Sequence, residues 1–109
     1  MEVFNAAHGK MSTRGEPQKK ILYEHEGGFK IQSIALAAGC VIPPCAMSRN
    51  VMFYIISGSG TITVDGETQD LQAGAGCVVP ASCKTRSITA HTDMTILAVQ
   101  GEIDHGVCS

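Results

Sequence analysis

Several features that commonly assign a chain to a function class are missing here. No apolar run approaches the roughly 18 residues that a membrane-spanning helix needs. The opening stretch, Met1-Glu-Val-Phe-Asn-Ala-Ala-His-Gly-Lys10, holds no uninterrupted apolar core of the kind a secretory signal requires. The expectation is therefore a cytoplasmic address and no membrane partner. Eight Lys and Arg stand against ten Asp and Glu, a net charge of −2, and the cations form neither a stripe nor a run. Binding a phosphate backbone depends on clustered cations, so nucleic acid is not expected as a partner. No C-x-x-C pair occurs, which removes zinc ribbons and thioredoxin-type redox motifs. The five cysteines (40, 45, 77, 83 and 108) are odd in number and come without an export signal, so reduced thiols are expected rather than a disulfide framework. Most free thiols are small buried hydrophobes. Helical i, i+3, i+4, i+7 stripes are absent, as are low-complexity linkers and clear internal repeats.

What remains is a single domain's worth of β-prone sequence. A chain of 109 residues buries about two-thirds of its unfolded surface, enough for a core without staples. Residues 1–18 carry no usable period and read as a lead-in, although Val3-Phe4 would suit a short edge strand. Lys20–His25 is β-prone and stops at Gly27-Gly28, a turn signal. Phe29 and Ile31 alternate on one parity and Ile34 and Leu36 on the other, which means a bulge or a strand buried on both faces. Pro43-Pro44 forbids helix and removes two ladder donors. Asn50–Ser57 is rich in β-branched and aromatic residues, and Asp65-Gly66 is a strong hairpin signal after Thr61–Val64. Further strands are expected near 68–72, 77–79, 85–90 and 94–100, with an irregular tail beyond Gly101. At least about eight short strands with Gly-rich turns predict an all-β sandwich or barrel.

Gly39, Gly58, Gly74 and Pro80, with the hairpin from Phe53 to Gly66, resemble the conserved frame of the cupins. Those motifs are usually written G-x5-H-x-H-x3-E-x6-G and G-x5-P-x-G-x2-H-x3-N. The resemblance spans roughly residues 20 to 100 and implies a cupin-type jelly-roll barrel, or double-stranded β-helix, open at one end and often paired into homodimers. The domain is accordingly divided as lead-in 1–18, barrel 19–101 and tail 102–109. The departures bear on function. Laid down residue by residue, the family's first two histidines fall on Cys45 and Met47, its glutamate on Val51, its third histidine on Thr85 and its late asparagine on Thr89, while Ser82 replaces a glycine. The imidazole and carboxylate ligands that hold iron, manganese, nickel or zinc in the family are all replaced. Metal-dependent dioxygenase or isomerase chemistry is not carried over.

Strand parity puts Cys45 and Met47 on one face of their strand, and Val51, Phe53 and Ile55 continue a common parity if the intervening loop behaves as in the family, with Thr85 opposite and Cys83 nearby. Three uses of such an apolar, sulfur-containing pocket compete. The leading one is metal-free binding of a small, largely apolar molecule by Cys45, Met47, Val51, Phe53, Cys83, Thr85 and Thr89, with Arg49 as a further orienting group. The second is a soft-metal site, Cu(I) or Zn, on Cys45, Met47 and Cys83. The third is thiol chemistry at Cys45 or Cys83, near the cations Arg49 and Lys84; a Cys45–Cys83 disulfide requires Cα atoms within about 7 Å. A solid interior that serves only association is the bland alternative. His8, His25, His91 and His105 fall in turns, lead-in or tail and are given no role.

Overall fold

The alternating segments become nine strands, all paired antiparallel, and there is no helix among the described residues. The computed structural model describes Val3 and residues 18–25, 28–45 and 49–101; for Gln18, His25, Phe29, Pro44 and Cys45 it describes the backbone. In chain order the strands are β1 (Gln18–His25), β2 (Phe29–Leu36), β3 (Val41–Cys45), β4 (Asn50–Ser57) and β5 (Ser59–Val64), then β6 (Glu67–Gln72), β7 (Gly76–Val79), β8 (Arg86–Ala90) and β9 (Met94–Gly101). They form a five-stranded sheet ordered β1-β2-β9-β4-β7 and a four-stranded sheet ordered β3-β8-β5-β6. The two sheets face each other across one core, the double-sheet arrangement of a jelly roll. No helix among the described residues is long and apolar enough to cross a membrane.

Period two decides what enters the core. On β4, Val51, Phe53 and Ile55 are buried while Met52, Tyr54 and Ile56 are exposed. On β8, Arg86, Ile88 and Ala90 are buried, and Ser87 and Thr89 turn away. The parity slip on β2 has the second of its two explanations. β2 pairs with β9 in unbroken register, and every residue from Gln32 to Leu36 is buried, so the strand is covered on both faces. The irregularity lies instead in β1, between Ile21 and Tyr23. Val3 is exposed and outside any strand, and Phe4 lies outside the described residues. Pro43 and Pro44 fall inside β3, an edge strand, where the register against β8 shifts between Ile42 and Cys45. An edge is where missing ladder donors are tolerated.

One end of the interior is solid. Leu36, Ile55, Ile88, Met94 and Ile96 are fully buried there. Gly60 is the register partner of Ala90, and a Cβ on it would run into the Thr89 carbonyl oxygen and come within 2.8 Å of the Met94 sulfur. The closing loops are tied across: Asp93 Oδ1 accepts from the Ala38 amide at 2.8 Å, and Thr92 Oγ1 from the Ser59 amide at 2.9 Å. At that end the link between β6 and β7 is also pinned to β4, since the Gly74 amide donates to the Ile55 carbonyl and the Ile55 amide to the Ala75 carbonyl, both at 2.8 Å. β6 and β7 are free edges of different sheets, and past this pin nothing in the sheet topology joins them.

Candidate functional site

The opposite end of the interior is built by two rows of inward positions. In the larger sheet, Val79 pairs with Val51 and Cys77 with Phe53. In the smaller sheet, Cys45 pairs with Arg86, Arg86 with Val64 and Val64 with Glu67, which makes one continuous row. The Arg86 guanidinium reaches across the gap and lies 5.4 Å from the centroid of the Phe53 ring, so the two sheets meet here through a cation over an aromatic face. Arg86 is only 8% exposed and Phe53 2%.

Beside that pair, where the sheet edges part, is a cleft of about 300 Å³. Ile62, Val64, Glu67 and Gln69 form one wall, and Cys77, Val78, Val79 and Pro80 the other. Burial pushes the Cys77 thiol above its ordinary value, with a backbone hydrogen bond with Phe53 acting weakly the other way. A second cleft, about 540 Å³ and more polar, lies at the solid end among Ser59, Asp70, Gln72 and His91.

Two side chains hold the loop that leads into Arg86. Asp65 has φ of 48° and Gly66 of 88°, the pair of positive values a type I′ hairpin demands, which explains the Asp-Gly sequence at the β5–β6 turn. From that position Asp65 Oδ1 accepts from the Lys84 amide at 2.7 Å and the Thr85 amide at 2.8 Å, and its own amide donates to the Thr85 carbonyl at 3.0 Å. On the other side Asn50 Oδ1 accepts from the Ala81 amide at 2.9 Å. The turn closed by the Cys83 amide on the Pro80 carbonyl is thereby clamped from both sheets, and Cys83 is buried under it as a free thiol.

The residues nominated from the sequence divide into three groups. Val51, Phe53 and Cys83 are buried at this end of the core. Thr85 and Thr89 do not face inward: Thr85 is exposed beside the Asp65 clamp, and Thr89 pairs with Val41 and Thr61 on the outer parity of β8. The backbone of Cys45 pairs with Arg86, whereas its side chain and the whole of Met47 lie outside the described residues. Cys83 is a free thiol, so the Cys45–Cys83 disulfide is not formed. Arg86 was not nominated. Its signal was present in the spacing, because Ile88 and Ala90 share its parity and have to enter the core.

This lining does not fit the metal centre that the resemblance implies. Among the described residues no three His, Cys, Asp or Glu side chains are grouped to hold a metal ion. Hard divalent ions require oxygen and nitrogen donors, and this end of the interior has Val51 where the resemblance puts the family's glutamate and a guanidinium at Arg86. A divalent cation about 5 Å from that guanidinium would be repelled by about 7 kcal/mol at an effective dielectric of about 20.

Comparison with known proteins agrees with the architecture. The chain superimposes on a conserved protein of unknown function from Streptococcus pyogenes with a TM-score of 0.76 and 22% identity, covering 95% of this chain and 97% of the other. A cupin superfamily protein from Desulfitobacterium hafniense matches with a TM-score of 0.76 and 18% identity over 88% of this chain and 84% of that one. Salicylate 1,2-dioxygenase from Pseudoaminobacter salicylatoxidans matches with a TM-score of 0.73 and 18% identity, over 84% of this chain but only 28% of the enzyme. These identities speak to fold alone. No curated protein matches the chain. The cupin domain profile matches residues 34–100, from the doubly buried strand β2 through both walls of the cleft to β9, and the chain belongs to the cupin domain family.

Proposed function

We propose that this protein binds a small organic molecule between its two sheets, at the end carrying Val51, Phe53, Val79 and Arg86, without a histidine- and carboxylate-held metal. The observation that carries the reading is the cleft beside the buried Arg86–Phe53 pair, whose inner lining is apolar, whereas the larger cleft of about 540 Å³ at the Gly60 end is lined mostly by polar side chains. At the Gly60 end a methyl group on Gly60 itself has no room, and the cleft beside it presents Ser59, Asp70, Gln72 and His91. At the other end the sheet edges part over a cleft of about 300 Å³ whose inner wall is Val64, Cys77 and Val79. That volume is at the low end of the range for small-molecule sites, roughly 300–1,000 Å³. Val64, Cys77 and Val79 are the cross-strand neighbours of Arg86, Phe53 and Val51, so the cleft is one strand spacing, about 4.8 Å, from the cation–aromatic pair.

The test is a thermal-shift screen of reduced, chelator-treated protein against a metabolite panel. A ligand at about 100 times its dissociation constant adds about 2.7 kcal/mol of stability, and the shift is expected to disappear in Val79→Trp, which fills the cleft. Stabilisation that returns only when iron, manganese or zinc is restored would reject the metal-free reading. Copper or zinc retained stoichiometrically through chelation, and lost in Cys45→Ser, would reject it in favour of a thiolate centre.

A further inference from the structure

We propose that the molecule taken up in this cleft is a primary or secondary amine on a compact apolar body, its ammonium head held by Glu67 and Gln69 and its body seated on Ile62, Val64 and Val79. The inference rests on the binding reading above and names the ligand class for the same site.

The first argument is side-chain placement. Residues paired directly across neighbouring strands lie on the same face of a sheet. Gln69 pairs with Ile62 and Glu67 with Val64. Ile62 is buried in the core, so Glu67 and Gln69 hold the core-facing parity of β6, in line with buried Leu71. Thr68 between them turns to the outer face, where its hydroxyl meets that of Thr63 at 2.9 Å. Opposite them, Cys77 and Val79 hold the core-facing parity of β7, as partners of buried Phe53 and Val51. The cleft therefore has an apolar floor and one apolar wall, while its other wall carries a carboxylate and an amide. Such a lining suits a hydrocarbon body with an N–H head at one side of it.

The second argument is charge. Among the described residues lining the cleft, Glu67 is the one charged side chain. Burial keeps the Cys77 thiol protonated near neutrality, so the facing wall adds no charge. Asp65, at the hairpin tip, commits its Oδ1 to the Lys84 and Thr85 amides, and Lys84 is exposed there outside the lining. Arg86 lies two strands from Glu67 along the row and is engaged with Phe53. Two strand spacings are about 10 Å, whereas an ammonium bound to a carboxylate sits at about 3 Å. Coulomb energy falls as the inverse of distance, so at any one dielectric the attraction to Glu67 exceeds the repulsion from Arg86 about threefold. An anion at the same place meets the reverse balance. A neutral hydroxyl bonds to the carboxylate without that attraction, and its single donor cannot serve Glu67 and the Gln69 carbonyl oxygen together, as an ammonium can.

The experiment uses the full-length, reduced, chelator-treated protein and three probes that share a phenyl body: benzylamine, which is protonated at neutral pH, benzyl alcohol and benzoate. Affinities are measured by calorimetric titration in the wild type and in Glu67→Gln, Glu67→Asp and Asp70→Asn. Benzylamine is expected to bind at least about fivefold more tightly than benzyl alcohol, with benzoate the weakest. Glu67→Gln should bring amine and alcohol within about twofold of each other, and Glu67→Asp should retain part of the preference. Asp70→Asn removes the same charge from the outer parity of β6, where Asp70 pairs with Thr61, and should leave the preference unchanged. Far-ultraviolet circular dichroism of each variant reports whether the barrel is folded, and where Glu67→Gln is not, the Glu67→Asp ratio decides. A loss of preference in Asp70→Asn as large as in Glu67→Gln overturns the assignment to this cleft. Equal binding of amine and alcohol, or preference for benzoate, overturns the amine inference, leaves small-molecule binding standing and makes Glu67 and Gln69 a solvated guard on an edge strand. Failure of all three probes in a protein that the metabolite screen does stabilise overturns the inference alone. Failure of probes and screen together overturns both.

Discussion

Replacing Asp65 tests whether the hairpin tip sets the geometry of the candidate site. Its carboxylate oxygen accepts two amides of the loop entering β8, at 2.7 and 2.8 Å. Both bonds lie at the surface, so the appropriate scale is that of a helix N-cap lost to alanine, about 1 kcal/mol each, rather than that of a buried charge. Alanine at φ of 48° adds about 1 kcal/mol of left-handed strain, which Asp and Asn largely avoid. Asp65→Ala should therefore lose about 3 kcal/mol, a fall in Tm of roughly 15 °C for a domain of this size. Asp65→Asn keeps an acceptor oxygen and tolerates the backbone, so its loss should be about 1 kcal/mol. Urea unfolding followed by tryptophan-free probes such as far-ultraviolet circular dichroism gives both numbers. A second readout is Cys83, buried beneath the clamped turn: alkylation in sub-denaturing urea should be much faster in Asp65→Ala. The reasoning fails if Asp65→Ala is within about 0.5 kcal/mol of wild type, the ordinary range for a surface substitution, or if Asn and Ala are equally damaging.

Gly60→Ala is expected to cost about 3 kcal/mol by forcing a methyl group into packed backbone and sulfur, whereas Gly66→Ala meets open space and should cost only about 1 kcal/mol through its positive φ; equal losses in denaturant melts would contradict this. The raised Cys77 value means that the thiol stays protonated near neutrality, so alkylation at pH 7 to 8 should be slower than that of a free thiol and climb steeply above the ordinary value of 9.0. The same shift gives a stability contribution complete below the unfolded-chain value and lost as pH rises through the folded one, and Cys77→Ala should remove that alkaline dependence; a wild-type Cys77 as reactive as glutathione at pH 7 argues the other way. Homodimerisation is expected to use the outer face of β4 and β7, which exposes Met52, Tyr54, Ile56 and Val78. Tyr54→Lys with Val78→Lys should then sediment as a monomer, and a wild-type chain that is monomeric at every concentration tested refutes the expectation.

How far the fold could be read in advance follows from which signals were local. Asp65-Gly66 announces its hairpin because only residues tolerant of positive φ fit a type I′ turn, and β4 announces itself because alternation is clean when one face is wet. β2 was ambiguous for the converse reason: a strand covered on both faces has no alternation to show, so its parity slip was equally compatible with a bulge. At the site, Val51 and Phe53 were legible from the parity of β4. Thr85 and Thr89 were placed inward by aligning a motif position by position, yet they share a parity opposite to Ile88, which is fully buried. Following the apolar residue instead of the motif assigns the inward position to Arg86. The cleft itself was not legible, because it depends on two edge strands of different sheets diverging past the pin at Gly74 and Ala75, a relation between residues that no single stretch encodes.

Placing Pro43 and Pro44 together on the rim of the smaller sheet has a consequence for behaviour at high concentration. Neither residue has an amide hydrogen, and because successive amides of a strand point to opposite sides, a foreign strand laid along that rim is denied a donor it would need there. The larger sheet's outer rim is guarded differently, by Lys19 and Lys20, whose like charges repel a second copy of themselves. Templated polymerisation through these two margins is therefore blocked by chemistry written into the native chain. Substituting both prolines with threonine should convert a clear concentrated solution into one that seeds fibres.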